Sequence, residues 1–313
     1  MKRSILLTLV SLVLTTLPAI SSAESRTVRL LTIGNSFSRN ATNHLDDLAK
    51  AGGHTLIHRP IVVGGASLEL HATKAQKHEA APDDKAGLYS NGRSLEEELL
   101  AEKWDYVTIQ QASIKSHDPA TYRPFADWLA ACIRKNAPSA SLLFHQTWAY
   151  RVDDPRFTRP SDKPGEPKTQ EEMYRGLTNA YRSLAKELAA GILPVGDAFF
   201  LADTNPMWGF QPDATFDSKN AKAPSLPDQT HSLHVGWRWA KPADGGEAKL
   251  SMDGHHANLA GEYLGACVWY EILFGSSAVG NPYIPKGIEA EYARFLQETA
   301  HRAVEASAAM IRP

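Results

Sequence analysis

The chain has 313 residues, 43% of them hydrophobic and 22% charged, with a formal net charge of −2. Those values are ordinary for a globular protein, and the length suits one large domain with a real core. The near-neutral charge provides no basic field for nucleic acid or for an anionic membrane, so neither is an expected partner.

The first residues read as an export signal. Lys2 and Arg3 precede an apolar run at 5–20, and Ser21-Ser22-Ala23 supplies small residues for cleavage. The alternative, an uncleaved anchor, meets a short apolar core with Pro18 near its end, set against a bilayer core of about 30 Å. Cleavage after Ala23 leaves 24–313 as one domain, expected in the periplasm or outside the cell and without stable membrane insertion.

Beyond that segment short apolar runs alternate with helical patterns. Residues 28–33 predict a first strand, and Leu45, Leu48 and Ala49 a helix. A second strand is expected at 55–63, interrupted by Pro60. Ser94 and Glu97 stand at capping-box spacing and open a short helix through Leu99 and Leu100. A third strand falls at 106–109. Phe125, Trp128, Leu129 and Cys132 recur at helical spacing, and 141–144 is a fourth strand. Met173, Leu177, Tyr181, Leu184 and Leu188 form an apolar stripe with Gly191 in the C-cap region. Residues 192–195 make a fifth strand, and Pro194 within it predicts a sheet edge. Two more helices are expected at 259–273 and 288–311. The alternation predicts a three-layer α/β/α sandwich with a mostly parallel five-stranded sheet.

Two stretches break the pattern, 74–93 and 203–252, and both are expected as loops. Trp208, Trp237 and Trp239 make the second a folded insertion, and they either stack on sugar rings or anchor the loop. Cys132 and Cys267 lie on apolar helix faces, as buried thiols or, in an oxidising compartment, as a disulfide.

Two segments carry chemistry. Gly34-Asn35-Ser36-Phe37-Ser38 follows the first strand, where parallel sheets gather ligands. A serine at a helix start there turns its hydroxyl to the crevice beside free N–H groups. The bland alternative is that Ser36 or Ser38 only caps the helix. Asp253-Gly254-His255-His256-Ala257-Asn258 precedes a late helix. A serine hydroxyl needs a base, which histidine supplies near neutrality, and a carboxylate orients that ring. Asp three residues before His, in one turn, supplies both.

Together these segments resemble blocks I and V of the SGNH hydrolases, the class that includes the GDSL esterases and lipases. Asn35 stands where many members have Asp, and Gly261 where the following helix often carries glycine. The resemblance implies a flavodoxin-like fold, with Ser36 as nucleophile, His256 as base and Asp253 as its orienting acid. His255 misses the D-x-x-H spacing. The Ser36 N–H and Gly64 or Gly65 would line the oxyanion hole. Block III is usually Gly-x-Asn, but here the chain reads Ile109-Gln110-Gln111-Ala112-Ser113, so the amide of Gln110 or Gln111 is expected in its place. A branch of uncharacterised SGNH-like proteins is similar around His145-Gln146-Thr147-Trp148-Ala149-Tyr150 and near Trp269 and Tyr270. His145, Gln146 and Trp148 are expected either to touch substrate or to pack beneath the long loop. Asp197 is expected to orient or cap the segment after the fifth strand.

The implied activity is hydrolysis of a small-molecule or carbohydrate ester, with O-acyl groups on carbohydrate as the expected target and no cofactor. Alternatives are a non-catalytic carbohydrate-binding protein on this scaffold, or a lipase or thioesterase. There is no G-x-S-x-G, P-loop or H-E-x-x-H. His231 and His234, with His255 and His256, would form a zinc site only if they converge. Loop histidines are expected to be solvated, so no metal is expected.

Overall fold

Five parallel strands form the central sheet: β1 (Thr27–Gly34), β2 (Thr55–Val62), β3 (Tyr106–Ile109), β4 (Ser141–His145) and β5 (Gly191–Leu193). Their order is β2-β1-β3-β4-β5. The computed structural model describes residues 24–242 and 244–308. The export segment expected at 1–23, and the end of the last predicted helix, lie outside the described residues. The helices are α1 (Ser36–Thr42), α2 (Leu45–Ala51), α3 (Leu68–Ala80), α4 (Leu95–Leu100), α5 (Phe125–Asn136), α6 (Pro155–Thr158), α7 (Gln170–Glu187), α8 (Val195–Asp203), α9 (Leu259–Phe274) and α10 (Ala290–Ala306). An antiparallel ribbon, β6 (His234–Ala240) with β7 (Lys249–Ala257), completes the chain.

The strand order reverses at β1. The crossover to β2 runs one way and every later one runs the other, so right-handed connections place helices on both faces. Helices α3, α4 and α5 pack together, and α1, α2, α8 and α10 gather round α9. Leu30, Leu31 and Ile33 of β1 and Val107 and Ile109 of β3 are buried between these layers. The sandwich is thus the expected one, with its switch point between β1 and β3, where a crevice opens at the strand ends.

Local differences have physical reasons. Pro60 is tolerated because β2 is an edge strand and needs fewer donors. Pro194 lies just past β5, at the N-cap position of α8, although β5 is indeed the other edge. Gly191 opens β5 rather than capping α7; the left-handed residue there is Ala189, at φ 44. The first expected loop is helical as far as Ala80, with Ser67 accepting from the Leu70 N–H as N-cap. The second contains β6 and the start of β7. Its tryptophans anchor it: Trp208 stacks on Tyr292 and Phe295 of α10, and Trp239 donates to the Ser225 carbonyl. The Ser94–Glu97 capping box forms in both directions. Cys132 and Cys267 are both free. Among the described residues no helix is long and apolar enough to cross a membrane.

Several histidines are locked inside. Burial pushes His71 down to about 4, and His145 and His234 to about 3, from an ordinary 6.5. The unfolded chain takes up protons near 6.5 that the folded chain refuses, so stability present above that value is lost as pH falls toward 3. The melting temperature, followed by calorimetry from pH 7 to pH 4, is expected to fall continuously; a flat profile would contradict this burial.

Candidate active site

β1 delivers Ser36 to the crevice through a tight passage. A Cβ on Gly34 would collide with Ser38 Oγ and Gln110 Oε1. Asn35 then caps α1, its Oδ1 accepting from the Phe37 N–H at 3.0 Å. The two serines separate in role. Ser38 is buried and donates to the Asn35 carbonyl at 3.1 Å. Ser36, half-buried, is the first residue of α1, a position whose N–H has no acceptor within the helix.

The ribbon brings the partner groups. Residues three apart on a regular strand point to opposite faces. Here Gly236 pairs with Asp253 and His234 with Ala257, so two steps on β6 face four on β7. That irregularity folds Asp253 and His256 toward each other. The D-x-x-H segment is therefore the irregular end of a strand, not the turn expected from its spacing. The His256 N–H donates to Asp253 Oδ1 at 3.1 Å, and His256 Nδ1 lies 3.2 and 3.1 Å from the two carboxylate oxygens. His256 Nε2 stands 2.9 Å from Ser36 Oγ. Partial burial works to raise the Asp253 carboxyl, but the hydrogen bonds from the His256 ring and N–H, with the nearby imidazoles, outweigh it. They hold Asp253 well below the usual carboxylate range.

His255 also reaches Asp253, Nδ1 to Oδ1 at 3.2 Å, and burial lowers it despite that carboxylate. Asp253, His255 and His256 are the described residues whose donor atoms gather closely enough for a metal, within 4.8 Å of one another. His231 and His234 do not join them. His234 is buried with its Nε2 3.0 Å from the Ala149 carbonyl oxygen, and His231 packs on Trp208.

The oxyanion-side residues divide. Gly64 and Gly65 are exposed after β2, and Gly65 needs its φ of +67, a value that favours glycine. Asn35 Nδ2 donates to the Ala66 carbonyl at 2.8 Å, tying this turn to the start of α1. The two glutamines are not available to a substrate. Gln110 is buried; its Nε2 donates to Asn35 Oδ1 at 2.8 Å and its Oε1 accepts from His145 Nδ1 at 2.9 Å. Gln111 is buried too. Its Oε1 accepts from the Leu68 and Ala112 N–H groups, and its Nε2 donates to the Thr121 carbonyl. His145, at the end of β4, and Gln146 and Trp148 beyond it are buried against α1, α7, α8 and α9 rather than beneath the long loop. His145 faces Trp269, Gln146 bonds Thr178 and Asp197, and Trp148 is sandwiched between Phe37 and Phe199, all three fully buried. Asp197 is held at the start of α8 by Gln146, Tyr174 and Arg182.

Sequence reasoning passed over Arg151. Its N–H donates to the Gly254 carbonyl at 2.7 Å. Its buried guanidinium binds both oxygens of Asp153, Oε1 of Gln229 and Oγ of Ser232. It thereby fastens the ribbon to the segment that follows β4. The signal available was Arg151-Val152-Asp153, a charge pair six residues past the end of β4.

The chain belongs to the DUF4886 family, described as a domain of unknown function, whose model matches residues 29–207. It is similar to a DUF4886 family protein from Bacteroides uniformis ATCC 8492, at 28% identity and a TM-score of 0.67, over 89% of this chain and 95% of that one. A protein of Slackia heliotrinireducens provisionally assigned as an SGNH hydrolase is similar at 21% identity, over 78% and 98% of the two chains, with a TM-score of 0.47. One of Parabacteroides merdae ATCC 43184, provisionally assigned as a GDSL-like lipase, is similar at 12% identity over 80% and 97%, with a TM-score of 0.42. No curated protein matches the chain.

Removing the Gln110 side chain strands a donor on His145 and takes a donor from Asn35. Gln110→Ala is expected to destabilise the fold by about 1–3 kcal/mol, the cost of buried unpaired polar groups. Chemical denaturation measures this, and a change within about 0.5 kcal/mol would show that the network does not bear on stability.

Proposed function

We propose that this protein is a serine esterase of SGNH type. The observation that carries the reading is the unbroken chain from Asp253 through the His256 ring to Ser36 Oγ, joining two segments 220 residues apart. His256 Nε2 takes the Ser36 proton as Oγ attacks the ester carbonyl. Asp253, held ionised, keeps the ring in its tautomer and stabilises the imidazolium. The N–H groups of Ser36, Gly64 and Gly65 are the donors proposed for the oxyanion. The alcohol leaves with the proton from His256. Water, deprotonated by the same ring, then attacks the acyl-serine, releases the acid and restores Ser36. No cofactor enters these steps. The substrate proposed is an O-acyl group on carbohydrate outside the cytoplasm, which rests on the signal-like residues 1–23.

The non-catalytic reading has one observation in its favour: both glutamines at the block III position are committed to internal bonds. A hole built from backbone donors alone lacks one side-chain donor, a loss worth about 10²–10³ in rate elsewhere. It slows a hydrolase without removing its nucleophile.

The test is p-nitrophenyl acetate hydrolysis by the mature protein. Ser36→Ala is expected to lose about 10⁴-fold or more, and Asp253→Asn a comparable factor, while a chelator changes nothing. Activity retained in Ser36→Ala would remove Ser36 as nucleophile. Activity lost on chelation would move the chemistry to a metal held by Asp253, His255 and His256.

A further inference from the structure

Three nitrogens crowd one oxygen of Asp253. Oδ1 accepts from the His256 N–H at 3.1 Å, and it lies 3.2 Å from Nδ1 of His256 and 3.2 Å from Nδ1 of His255. The two rings stand 4.2 Å apart between centroids. The chain from Asp253 to Ser36 uses His256 alone. His255 takes no part in it, yet turns a nitrogen to the same carboxylate. All three side chains can be reached from solvent: His255 is 39% exposed, His256 34% and Asp253 14%.

The spacing suits a transition-metal ion. Ligand atoms bonded at about 2.0–2.1 Å, with angles of about 100° between them, lie about 3.2 Å from one another. Both Nδ1 atoms stand at that distance from Oδ1, and the donor atoms of the three residues all lie within 4.8 Å of one another. Two imidazoles and one carboxylate suit zinc, whereas calcium and magnesium take oxygens. Three protein ligands leave the fourth zinc position to water. Arg238, the nearest cation on the ribbon, approaches the other carboxylate oxygen, Oδ2, at 3.7 Å. Oδ1, where the rings gather, is the oxygen left for an ion.

We propose that Asp253, His255 and His256 form an inhibitory zinc site, through which the ion reversibly shuts off Ser36. The inhibition rests on the esterase reading above; the metal site itself does not. A neutral imidazole has one N–H and one nitrogen lone pair. Zinc on His256 Nδ1 claims the lone pair there, so the ring's one proton moves from Nδ1 to Nε2. Nε2 still stands 2.9 Å from Ser36 Oγ, but it then has no lone pair for the serine proton. Asp253, now a zinc ligand, no longer accepts from the ring. Removing the ion returns the proton to Nδ1 and the base to Ser36. His255 supplies the third ligand, which the serine mechanism does not need.

The probe is zinc chloride added to chelator-treated mature protein. Calorimetric titration is expected to show one site per chain, weakened about tenfold or more in His255→Gln, while magnesium chloride gives no binding. Ser36→Ala is expected to bind zinc as the native chain does, since Ser36 is not a ligand. On p-nitrophenyl acetate, with the Ser36→Ala rate subtracted, an ion bound at about 10 µM and supplied at about 100 µM leaves about one site in ten active. A chelator restores the rate. In His255→Gln the same zinc inhibits far less, relative to that variant's own zinc-free rate, and an unchanged melting temperature without metal confirms its fold. Zinc binding that is absent, or equal in the native chain and His255→Gln, would overturn the site whatever the ester result. Binding through His255 with hydrolysis unslowed or raised would overturn the inhibition. If no ester is hydrolysed, the esterase reading fails and the inhibition falls with it, and calorimetry still decides the metal site.

Discussion

The side-chain amide of Asn35 is the joint on which the crevice depends. It accepts from the Phe37 N–H and from Gln110 Nε2, and it donates to the Ala66 carbonyl. One residue thereby fixes the start of α1, the end of β3 and the turn after β2. All of these groups are buried, so leaving any one unmade costs about 1–3 kcal/mol, and the arrangement tends to be complete or absent. This accounts for asparagine where the resemblance leads one to expect aspartate. A carboxylate has no hydrogen to give the Ala66 carbonyl. Gln110 belongs to the same solution, since it must donate to Asn35 while accepting from a neutral His145. Ser36 is aimed by the sheet ends before any contact with His256.

His256 arrives on a separate body, the β6–β7 ribbon, and its aim depends on how that ribbon is fastened. Three bonds do this from the β4 side. Arg151 holds the Gly254 carbonyl, the Trp148 indole N–H donates to the His255 carbonyl, and His234 Nε2 bonds the Ala149 carbonyl. Breaking a buried ion pair such as Arg151–Asp153 by removing one partner costs about 3–5 kcal/mol. Its position makes that cost local to the segment carrying Asp253 and His256. Residues 145–151 therefore shape the site from behind, without lining it.

This also explains what was and was not legible in the residues. The strands of the sheet are read well because parallel strands buried on both faces are short, dense apolar runs, as at 106–109 and 141–144. Helix α3 escapes because its buried face is Leu68, His71, Ala72 and Ala75, two small residues and a histidine, which carry little apolar signal. The ribbon escapes because the buried residues of β6 are His234 and Gly236, a polar ring and a residue without a side chain, while its larger apolar residues Val235, Trp237 and Trp239 are only half-buried. Asp253 and His256 were readable because their partnership is local. The bulge that joins them was not, because it is a property of pairing with β6. His145, Gln146 and Trp148 look like crevice residues by type and place. Whether such groups meet solvent or α8 and α9 is decided by tertiary packing, and here every polar atom they use finds an internal partner except His145 Nε2.

Asp253 is shared by two imidazoles, and that sharing decides between the uses of the site. A metal bound by Asp253, His255 and His256 would claim one nitrogen of His256 and one oxygen of Asp253. Nδ1 of His256 already faces that carboxylate, and Nε2 faces Ser36. Occupying Nδ1 removes the bond that orients the base, and occupying Nε2 removes the base from the serine. Either way the ion and the serine mechanism exclude each other. Burial lowers His255, so above its titration it stands beside Asp253 as a neutral ring rather than a competing cation. The carboxylate then remains free to stabilise positive charge on His256, the one ring in contact with Ser36.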